Sequence, residues 1–304
     1  FQKACKMFNI KCIKIPLNQK TYQIDLNLVK KNITKNTICL VGSFPNFPHC
    51  IYDDIESLSK IAVRYKIPLH VDCCLGGFLV VFHNRAGINS TPKFDFRLEG
   101  VTSISADLHK YGLCPKGISL ILFANHELRK NIFFIYPHWL GGTYLTPSFN
   151  GSRTAGLITS SYAIMTSMGM EFYAKNAKMI FDAVEKVKNF IKKECDIIEV
   201  IGNPTICGVS FKGKYIPYFY DLLCNKGYNI NYLNEPLGIG YIFTSANVGN
   251  VDEFIKDLKE VHDLIKNNKP EKISDKTKLY GMSFSMPESV AKYCLDVIGD
   301  AMLD

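Results

Sequence analysis

Between residues 37 and 123 one pattern recurs: a short run of apolar, mostly β-branched residues, a polar break, then apolar positions three or four apart. "TICLVGSF" (37–44), "PLHVD" (68–72), "VTSIS" (101–105) and "ISLILF" (118–123) read as strands, and "KCIKIPL" (11–17) as an earlier one. "DLNLVKKNITKN" (25–36) reads as a helix. In "DDIESLSKIAVRYK" (53–66) the apolar set Ile55, Leu58, Ile61, Ala62 and Tyr65 follows the helical period, with acids first and bases last, as the helix dipole prefers. Strands alternating with helices predict an α/β fold built on a largely parallel sheet. In such sheets ligands bind beyond the carboxyl ends of the strands. The positions to inspect are therefore Ser43 to His49, Asp72 to Gly77 and Asp107 to Lys116.

After about Thr159 the period turns helical as far as Lys193, long enough to bridge two domains. The remainder alternates again: "CGVSFKG" and "GIGYIFTS" as strands, "YIPYFYDLLCNKG" and "VDEFIKDLKEVHDLIKNN" as helices. A polar connector, "KPEKISDKTK" (269–278), precedes a last amphipathic segment, "PESVAKYCLDVIGDAML" (287–303). The expected organisation is a larger α/β domain over 1–158, a connecting helix over 159–193 and a smaller α+β domain over 194–304.

Composition changes this picture little. With 47% hydrophobic and 21% charged residues in 304, the chain can bury a substantial core. The net charge of +8 is spread along helical faces without a basic run, which argues against nucleic acid and supports only a mild preference for anionic ligands. The eleven cysteines show neither a CxxC pair nor a metal-ligand spacing, so reduced thiols and no metal site are expected. No apolar stretch reaches about 18 residues, the length a membrane-spanning helix needs. The opening "FQKACKMFN" reads as the end of an amphipathic helix, as in a fragment or processed form.

Two strand ends carry chemistry. Asp72, followed by "CCLGG", either caps the next helix or faces a cation or donor. At the next strand end come Asp107, Leu108, His109 and Lys110. Lys110 either reaches water along an exposed stem or is desolvated, its pKa lowered so that the neutral amine can form a Schiff base. Pyridoxal phosphate chemistry needs such a lysine, an acid for the pyridinium nitrogen and donors for the phosphate, and Lys110, Asp72 and His109 could supply all three. His70, two residues before Asp72, shares its face and is either a satisfied core histidine or a group that orients the aspartate.

The stretches "IPLHVDCCLGGFLVVF", "FDFRLEGVTSISADLHKYGLCPKG" and "GGTYLTPSFNGSRTAG", with "SFPNFPHCIYDD", "GNPTICGVSF" and "KLYGMS", resemble the sphingosine-1-phosphate lyases. These are pyridoxal-phosphate enzymes of the group II decarboxylase-like family. The resemblance implies the aspartate aminotransferase fold (fold type I), here a partial large domain with a smaller C-terminal α+β domain. It implies pyridoxal 5'-phosphate as cofactor, linked covalently to Lys110, with Asp72 on the pyridine nitrogen, His109 on the cofactor phosphate and Cys73 beside the ring. Ser152 would reach the cofactor phosphate of a neighbouring subunit, hence a homodimer with shared active sites, and Lys116 would bind the substrate phosphate. The implied reaction cleaves the C2–C3 bond of a phosphorylated long-chain base to a fatty aldehyde and phosphoethanolamine. The implied location is the endoplasmic reticulum membrane, catalytic part towards the cytosol, held by an N-terminal segment that these residues do not contain. Amino-acid decarboxylation and a degenerate, non-catalytic member are the alternatives.

Several residues keep two readings. Tyr111 and Tyr144 stand near the reacting carbon or in a core or interface, and Arg153 holds its loop or contacts phosphate. His49 orients a loop or approaches the cofactor, Lys116 binds phosphate or is merely solvated, and Asp107 orients His109 or caps the turn. Four departures from the family bear on geometry: Cys73 for alanine, Cys50 for glycine, Leu113 with Cys114 for a Tyr-Ala pair, and Thr154 for proline.

Overall fold

In the computed structural model, which describes residues 1–268, 273, 274, 277 and 286–301, the expected alternation becomes a four-stranded sheet. Its strands are β1 (Leu40–Ser43), β2 (Leu69–Asp72), β3 (Val101–Ala106) and β4 (Leu120–Phe123), neighbours in that order. The first three are parallel, and β4 returns antiparallel to β3. Alternation sets the faces: Leu69, Val71, Val101 and Ile104 are buried, while His70, Asp72, Ser103 and Ser105 lie half-buried on the other side. Ahead of the sheet come α1 (Gln2–Met7) and α2 (Leu26–Asn32).

The crossover from β1 to β2 is α3 (Ile55–Tyr65), which packs on both strands. Asp54 starts it by accepting from the Ser57 N–H at 2.9 Å, and Lys66 ends it in the left-handed region at φ 55°. Its Ile55, Leu58 and Ile61 are buried, each worth about 1.5–3 kcal/mol when wholly removed from water. A short α4 (Gly77–Val80) follows β2, and α5 (His126–Arg129) follows β4. The outer side of β4 has no partner among the described residues, and its Leu120, Ile121 and Leu122 are exposed.

Beyond α5 the chain forms a hairpin that the sequence pattern does not announce, β5 (Phe134–Trp139) with β6 (Gly142–Thr146). Its strands are apolar without alternation, and all but Thr146 of their residues are exposed. The long helix α6 (Gly156–Glu194) is broken at Gly169, whose φ 71° and ψ 167° are non-helical and open chiefly to glycine. The single connecting helix expected over 159–193 is thus two helices end to end. "KCIKIPL" is also corrected: residues 11–16 take no regular structure, and Leu17 makes a lone bridge to Ile24. That stretch is mostly exposed, and no adjacent strand among the described residues offers it a ladder.

The chain divides into two compact units, 1–181 and 182–304, the boundary falling inside α6. The second unit holds an antiparallel sheet in the order β7-β8-β10-β9, made of β7 (Ile198–Val200), β8 (Gly208–Gly213), β9 (Asn231–Asn234) and β10 (Leu237–Ile242). Helix α7 (Ile216–Asn225) packs against α8 (Val251–Asn267) and β10. Phe211, Phe219, Phe243 and Phe254 fill the core, where Tyr241 stacks on Phe254 at 4.2 Å. The last helix is α9 (Glu288–Ala301). The expected polar connector lies mostly, and "KLYGMS" wholly, outside the described residues.

Candidate active site

The carboxyl ends of β2 and β3 lie side by side, and four polar side chains meet there. Asp72 is the last residue of β2. Its Oδ1 accepts from the Cys74 backbone N–H at 3.0 Å, a tight Asx turn, and from the Ser105 hydroxyl at 3.0 Å across the sheet. Burial together with the neighbouring Asp72 pushes the Cys74 thiol up to about 11, with Lys110 acting against the shift. Helix α4 sits close behind the turn: a Cβ on Gly77 would stand 2.6 Å from the Cys73 Cβ, so only glycine fits.

Just past β3 the chain makes a turn in which the Lys110 N–H points to the Asp107 carbonyl at 3.4 Å and the Leu113 N–H to the Lys110 carbonyl at 3.2 Å. This brings the Lys110 Nζ within 2.9 Å of Asp107 Oδ2, while Asp107 Oδ1 accepts from the Ser119 hydroxyl at 2.5 Å. Burial opposes the charge on Asp107, but the Ser119 and Lys110 hydrogen bonds outweigh it and hold the carboxyl below its usual range. For Lys110 the balance corrects the sequence-based expectation. Burial alone would lower its pKa, yet the Asp107 hydrogen bond and the neighbouring Cys74 raise it instead. Lys110, about one-third exposed, stands here as an ammonium. Asp107, read beforehand as a cap or an orienter of His109, is primarily the counter-ion of Lys110.

His109 donates from Nδ1 to the Ile118 carbonyl at 2.6 Å, and its Nε2 stands 3.7 Å from Asp107 Oδ2. Nε2 must carry a proton before it can donate to a phosphate. Tyr111 is buried within the turn. The Cys73 side chain is fully enclosed against Gly77 and Ala106, so contact with a ligand would require the 72–76 turn to open. Lys116, Ser152 and Arg153 are exposed. No hydrogen bond among the described residues ties these three to Asp72 or Lys110. Tyr144 packs its ring on Trp139 in the hairpin, at 5.9 Å, and His49 is buried against Tyr22 at 5.7 Å. Cys50, where the family has glycine, does adopt a positive φ of 60°. Sequence reasoning passed over Cys74 and Ser105: a thiol and a hydroxyl carry no spacing signal, and only strand register shows what they face.

The profile of the pyridoxal-dependent decarboxylase conserved domain matches residues 1–214. The sphingosine-1-phosphate lyase of Saccharomyces cerevisiae is 42% identical over 290 residues, which are 94% of this chain and 49% of that protein. The chain thus spans about half the length of the curated relatives it matches. The solved structure of the Burkholderia pseudomallei sphingosine-1-phosphate lyase superposes with a TM-score of 0.83 at 35% identity, over 86% of this chain and 60% of that one. A Lactobacillus brevis glutamate decarboxylase superposes at 0.74 with 22% identity, over 90% of this chain and 65% of that one, a likeness of fold.

Proposed function

The chain belongs to the pyridoxal-dependent decarboxylase family and has the fold type I architecture, and from that premise we propose that it is the catalytic part of a sphingosine-1-phosphate lyase. The observation that carries the reading is the placing of Asp72 at the end of β2 and of Lys110 in the turn just past β3, its neighbour in the sheet. The family's cofactor, pyridoxal 5'-phosphate, fits this donor set. An aspartate whose Oδ1 accepts from two donors suits a protonated ring nitrogen, and a lysine at the same edge suits the covalent link. When bound, the cofactor supplies an electron-accepting ring that makes carbon–carbon cleavage accessible. Asp72 keeps the charge opposite its nitrogen. Lys110 must shed a proton before its amine becomes nucleophilic, and until then Asp107, 2.9 Å away, holds the ammonium in place.

The substrate of this reading is a phosphorylated long-chain base, cleaved between C2 and C3 to a fatty aldehyde and phosphoethanolamine. Lys116 binds the substrate phosphate as a point charge, and the exposed Ser152 reaches the cofactor phosphate of a second copy, alongside His109. Cys73 lies in the turn after β2 and Tyr111 in the turn after β3. Residues 1–158 are then part of the cofactor-binding domain, 159–193 the two connecting helices broken at Gly169 and 194–304 the small domain. The protein is a homodimer at the endoplasmic reticulum membrane, attached through a segment outside these residues. No helix among the described residues is long and apolar enough to cross a membrane.

The test supplies the holoenzyme with sphinganine 1-phosphate and traps long-chain aldehyde as a hydrazone. Aldehyde release that is lost in Lys110→Ala, together with the visible band of the bound cofactor, is the expected result. Lys116→Ala should raise KM roughly 10- to 100-fold with less effect on kcat, the loss of one charge-assisted contact. Carbon dioxide release from an amino acid without aldehyde would overturn the lyase reading in favour of a decarboxylase. A protein that never acquires the cofactor band would overturn both.

A further inference from the structure

Strands β2 and β3 are parallel neighbours, so residues opposite one another share a face. Their register begins Leu69 opposite Val101 and then slips: His70 faces Ser103, Val71 faces Ile104 and Asp72 faces Ser105. Thr102 is the extra residue, and its hydroxyl donates to the Leu69 carbonyl at 3.0 Å. Without that slip Ile104 would stand opposite Asp72. With it, two serines join the histidine and the aspartate on one half-buried face.

The hydrogen bonds among these four residues run in one direction. An ionised carboxylate can only accept, so the single proton of the Ser105 hydroxyl goes to Asp72 Oδ1 at 3.0 Å. The Ser105 oxygen must then accept from His70 Nε2, 3.3 Å away, which places the imidazole proton on Nε2. Nδ1 is left to accept from the Ser103 hydroxyl at 2.8 Å. Burial lowers the pKa of His70, although Asp72 acts against the shift, so the ring favours the neutral form this pattern needs. The Phe1 ring covers the imidazole edge-on at 5.8 Å.

We propose that Ser103, His70 and Ser105 are positioning residues, a one-way relay of donors that fixes the Asp72 carboxylate in direction towards the ring nitrogen of the cofactor. This rests on the reading of Asp72 given above. Donors on the carboxylate favour the arrangement in which the shared proton stays on the ring nitrogen rather than passing to Asp72. Ser105 acts directly, His70 only through Ser105, and Ser103 only through His70.

The experiment loads the holoenzyme with pyridoxal phosphate labelled at the ring nitrogen with 15N and reads the nitrogen resonance and the cofactor dissociation constant. Ser105→Ala should move the resonance towards its unprotonated position and weaken cofactor binding by roughly three- to tenfold, as loss of one hydrogen bond predicts. Ser105→Thr, which keeps the hydroxyl, should restore both. His70→Ala should shift both in the same direction by less, and the double variant should match Ser105→Ala alone. A Ser105→Ala resonance identical to that of the parent would overturn the relay, even if the cofactor-free protein unfolded at a lower temperature. Additive effects of the two alanine variants would do the same. Asp72→Asn separates the two levels of the argument. If it leaves the nitrogen protonated, the reading of Asp72 fails; if it alone shifts the resonance, only the relay fails.

Discussion

At the scale of single residues, the pair Asp107 and Lys110 makes a prediction in pH. The Asp107 carboxyl is held below its usual range, so its charge stabilises the fold above the unfolded value near ~3.9, and this stabilisation is lost as pH falls through the lower folded value. Lys110 is raised, so its contribution is complete below the unfolded value near ~10.4 and is lost as pH rises through the higher folded one. Asp107→Asn should therefore flatten the acid side of the stability curve, and it should shrink the alkaline loss. Urea midpoints measured across the pH range check both, and a variant curve parallel to the parent's at both ends would contradict the pairing. Asp72 and Lys110 were legible in the sequence because a strand pattern stops at each of them. The Asp107 contact was not, since residues three apart meet only if the turn closes. The serines facing His70 and Asp72 were hidden for a different reason: their side depends on the extra Thr102, which alternation alone does not reveal.

Among the elements, the strands that face a core were legible from their apolar, mostly β-branched runs, as was α3 from its period and the order of its charges. The hairpin β5–β6 was not, because its apolar residues face outward and show no period two. The end of α3 offers a clean test of local conformation. Lys66 is exposed and takes φ 55° at the helix C-terminus, where glycine is at no disadvantage. Lys66→Gly should stabilise the protein by about 0.5–1 kcal/mol, seen as a higher urea midpoint at unchanged slope. Gly169→Ala should act oppositely, by about 1–3 kcal/mol, because ψ 167° at positive φ is nearly closed to residues with a Cβ. The long apolar period across 159–193 concealed that break, since one glycine among helix formers is an ordinary occurrence.

For the whole molecule, the apolar side chains left in water are the telling feature. Trp139, Leu140, Phe149 and Tyr162 are all more than half exposed, on the hairpin, the loop after it and the front of α6. Exposure on this scale marks an interaction site, and the homodimer proposed above commits its occupant to a second copy. Leu140→Glu combined with Phe149→Glu should halve the mass seen by light scattering and reduce cofactor binding, because Ser152 would no longer meet its neighbour. Retention of the dimer mass would remove these residues from the interface. The outer side of β4 poses a separate, practical matter. A strand with free N–H and C=O groups and exposed Leu120, Ile121 and Leu122 is a template for strands of other molecules. Turbidity on storage should accordingly grow steeply with concentration, and Ile121→Lys should delay it while the folded structure stays intact.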